Sequence, residues 1–107
     1  MNNRFLGNTG IEVSELAFGA VEIGMPYGIG VHSKEDMLTE AAAIRLLHAA
    51  FDEGINFIDT ARQYGESESI IGKAFKQHRE KLVIATKSRH LRHADKPLPK
   101  NIAVNII

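Results

Sequence analysis

Three residues carry the chemistry for which this sequence can be read. In FIDTARQYGESE (57–68) an apolar pair, Phe57-Ile58, stops at Asp59, and a single Tyr64 follows five residues later. LVIATKS (82–88) repeats the pattern, an apolar run closed by Lys87. Neighbouring strands lie about 4.8 Å apart, so a carboxylate and an ammonium at adjacent strand tips can meet as an ion pair. An isolated phenol titrates near ~10 and seldom exchanges a proton at neutral pH. A close ammonium favours the phenolate and brings proton transfer within reach, while the carboxylate holds the ammonium in place and charged. The same residues also fit a simpler description, in which Asp59 and Lys87 pair at strand ends and Tyr64 packs in its loop.

The elements that must position these groups follow from pattern. RFLG and IEVSE flank Asn8-Thr9-Gly10, a turn-forming cluster, and predict a short hairpin. LAFGA (16–20) reads as a compact strand, and Val21 to Asp36, broken by Gly24, Pro26, Gly28 and Gly30, reads as irregular. Thr39 is placed to cap a helix, with Glu40 near its positive end. Ala43, Ile44, Leu47, Ala50 and Phe51 form that helix's apolar stripe, and Gly54 stops it. Ile55 to Thr60 is a near-continuous apolar strand of the kind that both faces of a parallel sheet cover. A second helix starts near Glu66 or Ser67 and presents Ile70, Ile71, Ala74 and Phe75; Gly72 inside it either permits close packing or lies exposed. Leu82 to Thr86 is the next strand.

Strand, helix, strand, helix, strand is the rhythm of parallel βα units. Such units build either an open doubly wound sheet or a (β/α)8 barrel, and both place their chemistry at the carboxyl ends of the strands. Asp59 and Lys87 fall at those ends.

Composition narrows the partners. Thirteen basic residues balance thirteen acidic ones, so no global field draws nucleic acid or an anionic membrane, although a small anion can still bind a local cluster. With no cysteine there are no disulfides and no thiolate metal sites. The first ten residues, MNNRFLGNTG, lack the basic segment and apolar core of a signal peptide, and no apolar run nears the ~20 residues that span a bilayer. The expectation is a cytoplasmic protein that binds neither nucleic acid nor membrane.

GINFIDTARQYGESESIIGKAF (54–75) resembles the aldo/keto reductase family around its catalytic aspartate and tyrosine. RFLGNTGIEVSELAFGA is similar to that family's N-terminal hairpin and first strand, and LVIATKS to the strand carrying its catalytic lysine. The resemblance implies the N-terminal part of a (β/α)8 TIM barrel, about three βα units preceded by a β-hairpin. It also implies NAD(P)H-dependent reduction of aldehydes or ketones, with NADPH as cofactor and a small carbonyl compound as substrate. By the same resemblance Tyr64 is the general acid, Lys87 the cation beside it and Asp59 the anchor of that lysine. Gly19 and Ala20, with Asp59, would lie along the cofactor, and Tyr27 would face the substrate.

The family's fourth catalytic residue is a histidine on an apolar strand. His90 and His93 stand instead in a polar, proline-bearing stretch, RHLRHADKPLPK, and match it poorly. Two imidazoles there, without a third ligand at suitable spacing, favour a solvated loop over a metal site. GIGVHS (28–33) lacks the third glycine and the strand–helix setting of a phosphate loop. His48, inside the first helix, is expected to pack rather than to react. Because a barrel takes about 250 residues, this chain is expected to supply only its opening. Residues 1–88 are expected to form the barrel segment and 89–107 a divergent or truncated tail, with unpaired sheet edges inviting self-association. Most of the cofactor site would then lie outside the chain. The readings that compete with a reductase are a non-catalytic product or interaction module without a complete cofactor site, and an unrelated small α/β binding domain.

Overall fold

A computed structural model describes residues 1–88. Strands β1 (Asn3–Phe5) and β2 (Glu12–Ser14) form the expected antiparallel hairpin, with Arg4 opposite Val13. Three further strands, β3 (Ala17–Gly19), β4 (Phe57–Asp59) and β5 (Val83–Ala85), make a parallel sheet in the order β3-β4-β5. Their registers put Gly19 opposite Asp59, and Asp59 opposite Ala85, so all three strands end level.

Each crossover carries a helix. Helix α2 (Glu40–Asp52) starts at Thr39, whose hydroxyl accepts the Ala42 N–H at 3.2 Å. It ends with the Gly54 N–H bonded to Phe51 and the Ile55 N–H to Ala50, a closure for which Gly54 adopts φ +98°. Helix α3 (Ser67–Ala74) spans the second crossover. The apolar faces of both helices meet β4: Leu47, Ile58, Ile70, Ile71, Phe75 and Leu82 are all buried. Ile58, central in the sheet and 2% exposed, contributes about 1.5–3 kcal/mol by leaving water. The Lys73–Glu40 ion pair joining the two helices at 3.0 Å is exposed at both ends, so its contribution is below about 1 kcal/mol.

The hairpin is tied to this core through Asn56. Asn56, just before β4, accepts the Ser14 N–H at 2.7 Å and donates to the Glu12 carbonyl at 3.3 Å, while its own N–H reaches the Ser14 hydroxyl at 3.1 Å.

One expectation changes and one open choice closes. The stretch 21–36 is not wholly irregular: Val21–Gly24 forms a single helical turn, α1, and Lys34–Asp36 a 3-10 turn. Glycine count argued against helix there, but Gly24 is the last residue of the turn and is buried against the Tyr64 loop. Gly72 packs against nothing; a Cβ there would meet no atom within 4 Å, which settles the choice in favour of an exposed glycine.

Candidate active site

The level ends of β4 and β5 bring two of the three chemical groups together. Lys87 Nζ donates to Asp59 Oδ1 at 2.8 Å and to the Thr60 carbonyl at 2.8 Å. The chain beyond β5 is held there by two bonds, the Thr60 N–H to the Ala85 carbonyl at 2.8 Å and the Arg62 N–H to the Lys87 carbonyl at 3.1 Å. Parallel pairing thus continues past the last strand residues, and it carries the lysine to a fixed place above Asp59.

Tyr64 joins them from the loop between β4 and α3. The ammonium lies 5.2 Å from the centre of its ring. The loop is a tight turn, with the Tyr64 N–H bonded to the Ala61 carbonyl at 3.1 Å and the Ser67 N–H bonded to the Tyr64 carbonyl at 3.0 Å. Tyr64 is half-buried, whereas the Lys87 and Asp59 side chains are 45% and 48% exposed.

Lys87 titrates above the ordinary lysine range. The hydrogen bond to Asp59 is the largest cause, partial desolvation opposes it, and the charge of Asp59 and the nearby Tyr64 add to the rise. Held in this way, Lys87 is a permanent cation at neutral pH.

The other expected site residues are placed less uniformly. Gly19 is exposed at the end of β3, and a Cβ there would meet nothing within 4 Å, so its Cα faces open space beside Asp59. Ala20 bonds through its N–H to the Asp59 carbonyl at 2.9 Å, but it is 1% exposed and its methyl belongs to the core. The Ala20 side chain is therefore not available to a ligand, because the chain turns inward into α1 at that point. Tyr27 is 56% exposed on the segment after α1 and makes no hydrogen bond with the described residues. His48 is engaged structurally: its Nε2 lies 2.6 Å from the Ala74 carbonyl and its ring meets Phe75 edge-on at 5.6 Å. His90 and His93 lie outside the described residues. No cluster of three metal-ligating side chains exists among the described residues.

Four residues around Tyr64 escaped the sequence reading: Gly24, Gly65, Thr60 and Ser67. The Gly24 carbonyl accepts the Glu66 N–H at 3.1 Å, and the buried hydroxyls of Thr60 and Ser67 pair at 2.8 Å. Only the run Tyr-Gly, with a glycine directly after the phenol, signalled the tight turn. A contact between Gly24 and Gly65 spans two crossovers, and no periodicity announces it.

With this geometry in view, the comparisons are specific. The sequence profile of the aldo/keto reductase family matches residues 15–105, running past Ser88. The chain is 44% identical over 87 residues to the aldo-keto reductase AFTS1 of Alternaria alternata, covering 77% of this chain and 22% of that protein. It is 40% identical over 96 residues to the uncharacterized oxidoreductase YrpG of Bacillus subtilis, covering 81% and 26%. Among solved structures it resembles the putative aldo-keto reductase PA4992 from Pseudomonas aeruginosa, with a TM-score of 0.67 and 39% identity over 78% of this chain and 32% of that one. It also resembles the holo form of aldo-keto reductase AKR11C1 from Bacillus halodurans, with a TM-score of 0.68 and 32% identity over 90% and 28%. The chain thus spans about a quarter of the length of the curated relatives it matches. Its hairpin and three parallel strands correspond to the N-terminal portion of the barrels these enzymes form. On profile, identity and fold alike, this chain belongs to the aldo/keto reductase family.

Proposed function

We propose that this chain is the N-terminal segment, over residues 1–88, of a cytoplasmic NADPH-dependent reductase of aldehydes and ketones. The observation that carries the reading is the Lys87 ammonium, fixed by Asp59 at 2.8 Å and standing 5.2 Å from the Tyr64 ring at the carboxyl end of a parallel sheet. A bound nicotinamide cofactor supplies the hydride that reduces the carbonyl carbon. Tyr64 gives the proton that the carbonyl oxygen requires as that carbon is reduced, and the alcohol leaves. The charge left on the phenol oxygen faces a cation that needs no reorganisation, which is the electrostatic advantage of holding Lys87 beforehand. Solvent reprotonates the phenol. Asp59 and the Thr60 carbonyl hold Lys87 in place throughout.

The residues at hand fit the cofactor as far as they go. Gly19 offers a surface without a Cβ beside Asp59, and about half of the Asp59 carboxylate is exposed to accept hydrogen bonds. The preference for NADPH over NADH rests on the family resemblance. A second reading, a non-catalytic product or interaction module, draws on the chain's span of about a quarter of its relatives' length.

NADPH oxidation in the presence of an aldehyde by the full-length reductase that carries this segment, compared among the parent, Tyr64→Phe and Lys87→Met, tests the proposal; the 107-residue chain alone, spanning about a quarter of its relatives' length, is expected to be inactive. Loss of at least about 100-fold in kcat is expected for Tyr64→Phe, within the range that general acid catalysis supplies. Turnover that survives both substitutions refutes the assignment. Titration of the 107-residue chain with NADPH, followed by nucleotide fluorescence, reads what the segment does alone: no saturable signal is expected where most of the cofactor site lies outside it, and a saturable one shows that a site forms without the rest of the barrel.

A further inference from the structure

We propose that Gly24 and Gly65, backed by the Thr60–Ser67 hydroxyl pair, form a two-sided clamp that positions Tyr64 over the Lys87 ammonium; the proposal rests on the reductase reading above. On one side the Tyr64 loop lies against the end of α1 mainly through backbone atoms. A Cβ at Gly24 would collide with the Tyr64 carbonyl and would stand 2.5 Å from the Ser67 nitrogen and 2.6 Å from the Ser67 Cβ. A Cβ at Gly65 would collide in turn with the Gly24 carbonyl. Between these two closures runs the hydrogen bond from the Glu66 N–H to the Gly24 carbonyl at 3.1 Å. The obstructing atoms are mainly backbone, so a methyl at either position can be accommodated only if the loop moves.

On the other side Thr60 and Ser67 pair at 2.8 Å, and both residues are 0% exposed. Each is also bonded to one member of the reacting pair. The Thr60 carbonyl accepts from Lys87, and the Ser67 N–H donates to the Tyr64 carbonyl. The hydroxyl pair therefore links the support of the lysine directly to the support of the phenol. Gly65 adds a separate requirement, because its φ of +54° lies in the left-handed region. Moving the loop shifts Tyr64 while Asp59 continues to hold Lys87, so the site keeps its residues and loses its spacing. A misplacement near 1 Å costs about 100-fold in rate.

These are positioning residues, and the test reads position directly. In the full chain, the NMR cross-peak between the Tyr64 ring and the Lys87 ε-methylene reports their proximity, and Tyr64→Leu confirms the assignment. Gly24→Ala and Gly65→Ala are expected to abolish that cross-peak while the hairpin contact between Arg4 and Val13 persists. Gly72→Ala, in open space, should keep both. Gly65→Asn separates strain from collision: asparagine tolerates a positive φ but carries a Cβ, so it is expected to behave like alanine. If both alanine variants unfold, Ser67→Ala removes only the hydroxyl partner of Thr60 and is expected to weaken the same cross-peak. A Tyr64–Lys87 cross-peak that persists in the folded glycine variants, or unchanged in Ser67→Ala where those unfold, overturns the clamp. In the full-length reductase that carries this segment, the kinetic counterpart is a fall of about 100-fold in kcat for Gly65→Ala with the KM for NADPH unchanged, using 4-nitrobenzaldehyde as carbonyl probe. Turnover that survives Tyr64→Phe sinks the reductase reading and leaves the cross-peak to judge the clamp alone.

Discussion

Lys87 draws its chemical character from one carboxylate oxygen. Because the hydrogen bond to Asp59 Oδ1 is the main cause of its raised pKa, Asp59→Asn is expected to lower the Lys87 titration midpoint. Nitrogen-15 NMR of the Nζ across alkaline pH measures this, and a midpoint that does not fall in the variant contradicts the assignment. The sign for stability follows from the direction of the shift. A lysine whose folded pKa exceeds its unfolded value stabilises the fold fully at pH below the unfolded value, and that contribution disappears as pH rises through the folded one. The stabilisation carried by Lys87 is therefore lost only as pH rises well into the alkaline range. Both side chains are about half exposed, so solvent screening keeps the contribution small. Asp59 and Lys87 were legible in the sequence because strand tips are marked by the abrupt end of an apolar run. The burial of Ala20 was not, because whether a residue after a strand turns toward solvent or core depends on α1, whose single turn carries too few residues to show a period.

Helix α3 shows how local pattern can identify an element and leave the role of one residue open. Ile70, Ile71, Ala74 and Phe75 marked its buried side correctly, since 3.6-residue spacing is a property of the chain itself. Gly72 between them had two meanings, close packing or exposure, that differ only in what lies opposite, and the neighbour of a helix face is set by tertiary structure. The exposed position now carries a prediction. Gly72→Ala removes the conformational freedom of glycine in the unfolded chain and introduces no collision, so it is expected to stabilise by about 1 kcal/mol. Urea unfolding at neutral pH gives the difference, and a destabilised variant shows that the helix face is covered. The hairpin, by contrast, was legible in full, because Asn8-Thr9-Gly10 and the flanking strands sit within about a dozen residues of one another. Its attachment through Asn56 was not, because that contact reaches 42 residues along the chain.

At the scale of the whole molecule, the three parallel strands form an open arc among the described residues. Among the described residues β3 and β5 each have one neighbouring strand, β4. In β5 the ladder to β4 uses the Val83 N–H and the Ala85 carbonyl, so the backbone groups of Ile84 face the outer edge. Beside that edge a cavity of about 460 Å³ opens between α3 and β5, lined in part by Ile71, Phe75 and Ile84. Single apolar side chains are exposed as well, Phe5 in β1 at 66% and Leu16 just after β2 at 60%. A strand edge is a template for association. The purified 107-residue chain is therefore expected to self-associate, its weight-average mass rising above 11.8 kDa between about 1 μM and about 1 mM in sedimentation equilibrium. Two variants separate the causes. Ile84→Pro removes an outward N–H without breaking the ladder to β4, which suits proline on an edge strand, and it is expected to reduce association that proceeds by strand pairing. Phe5→Lys combined with Leu16→Lys leaves the sheet intact and reduces association that proceeds through these exposed apolar side chains. A mass that stays at the monomer value across the concentration range shows instead that the arc is covered within a single chain.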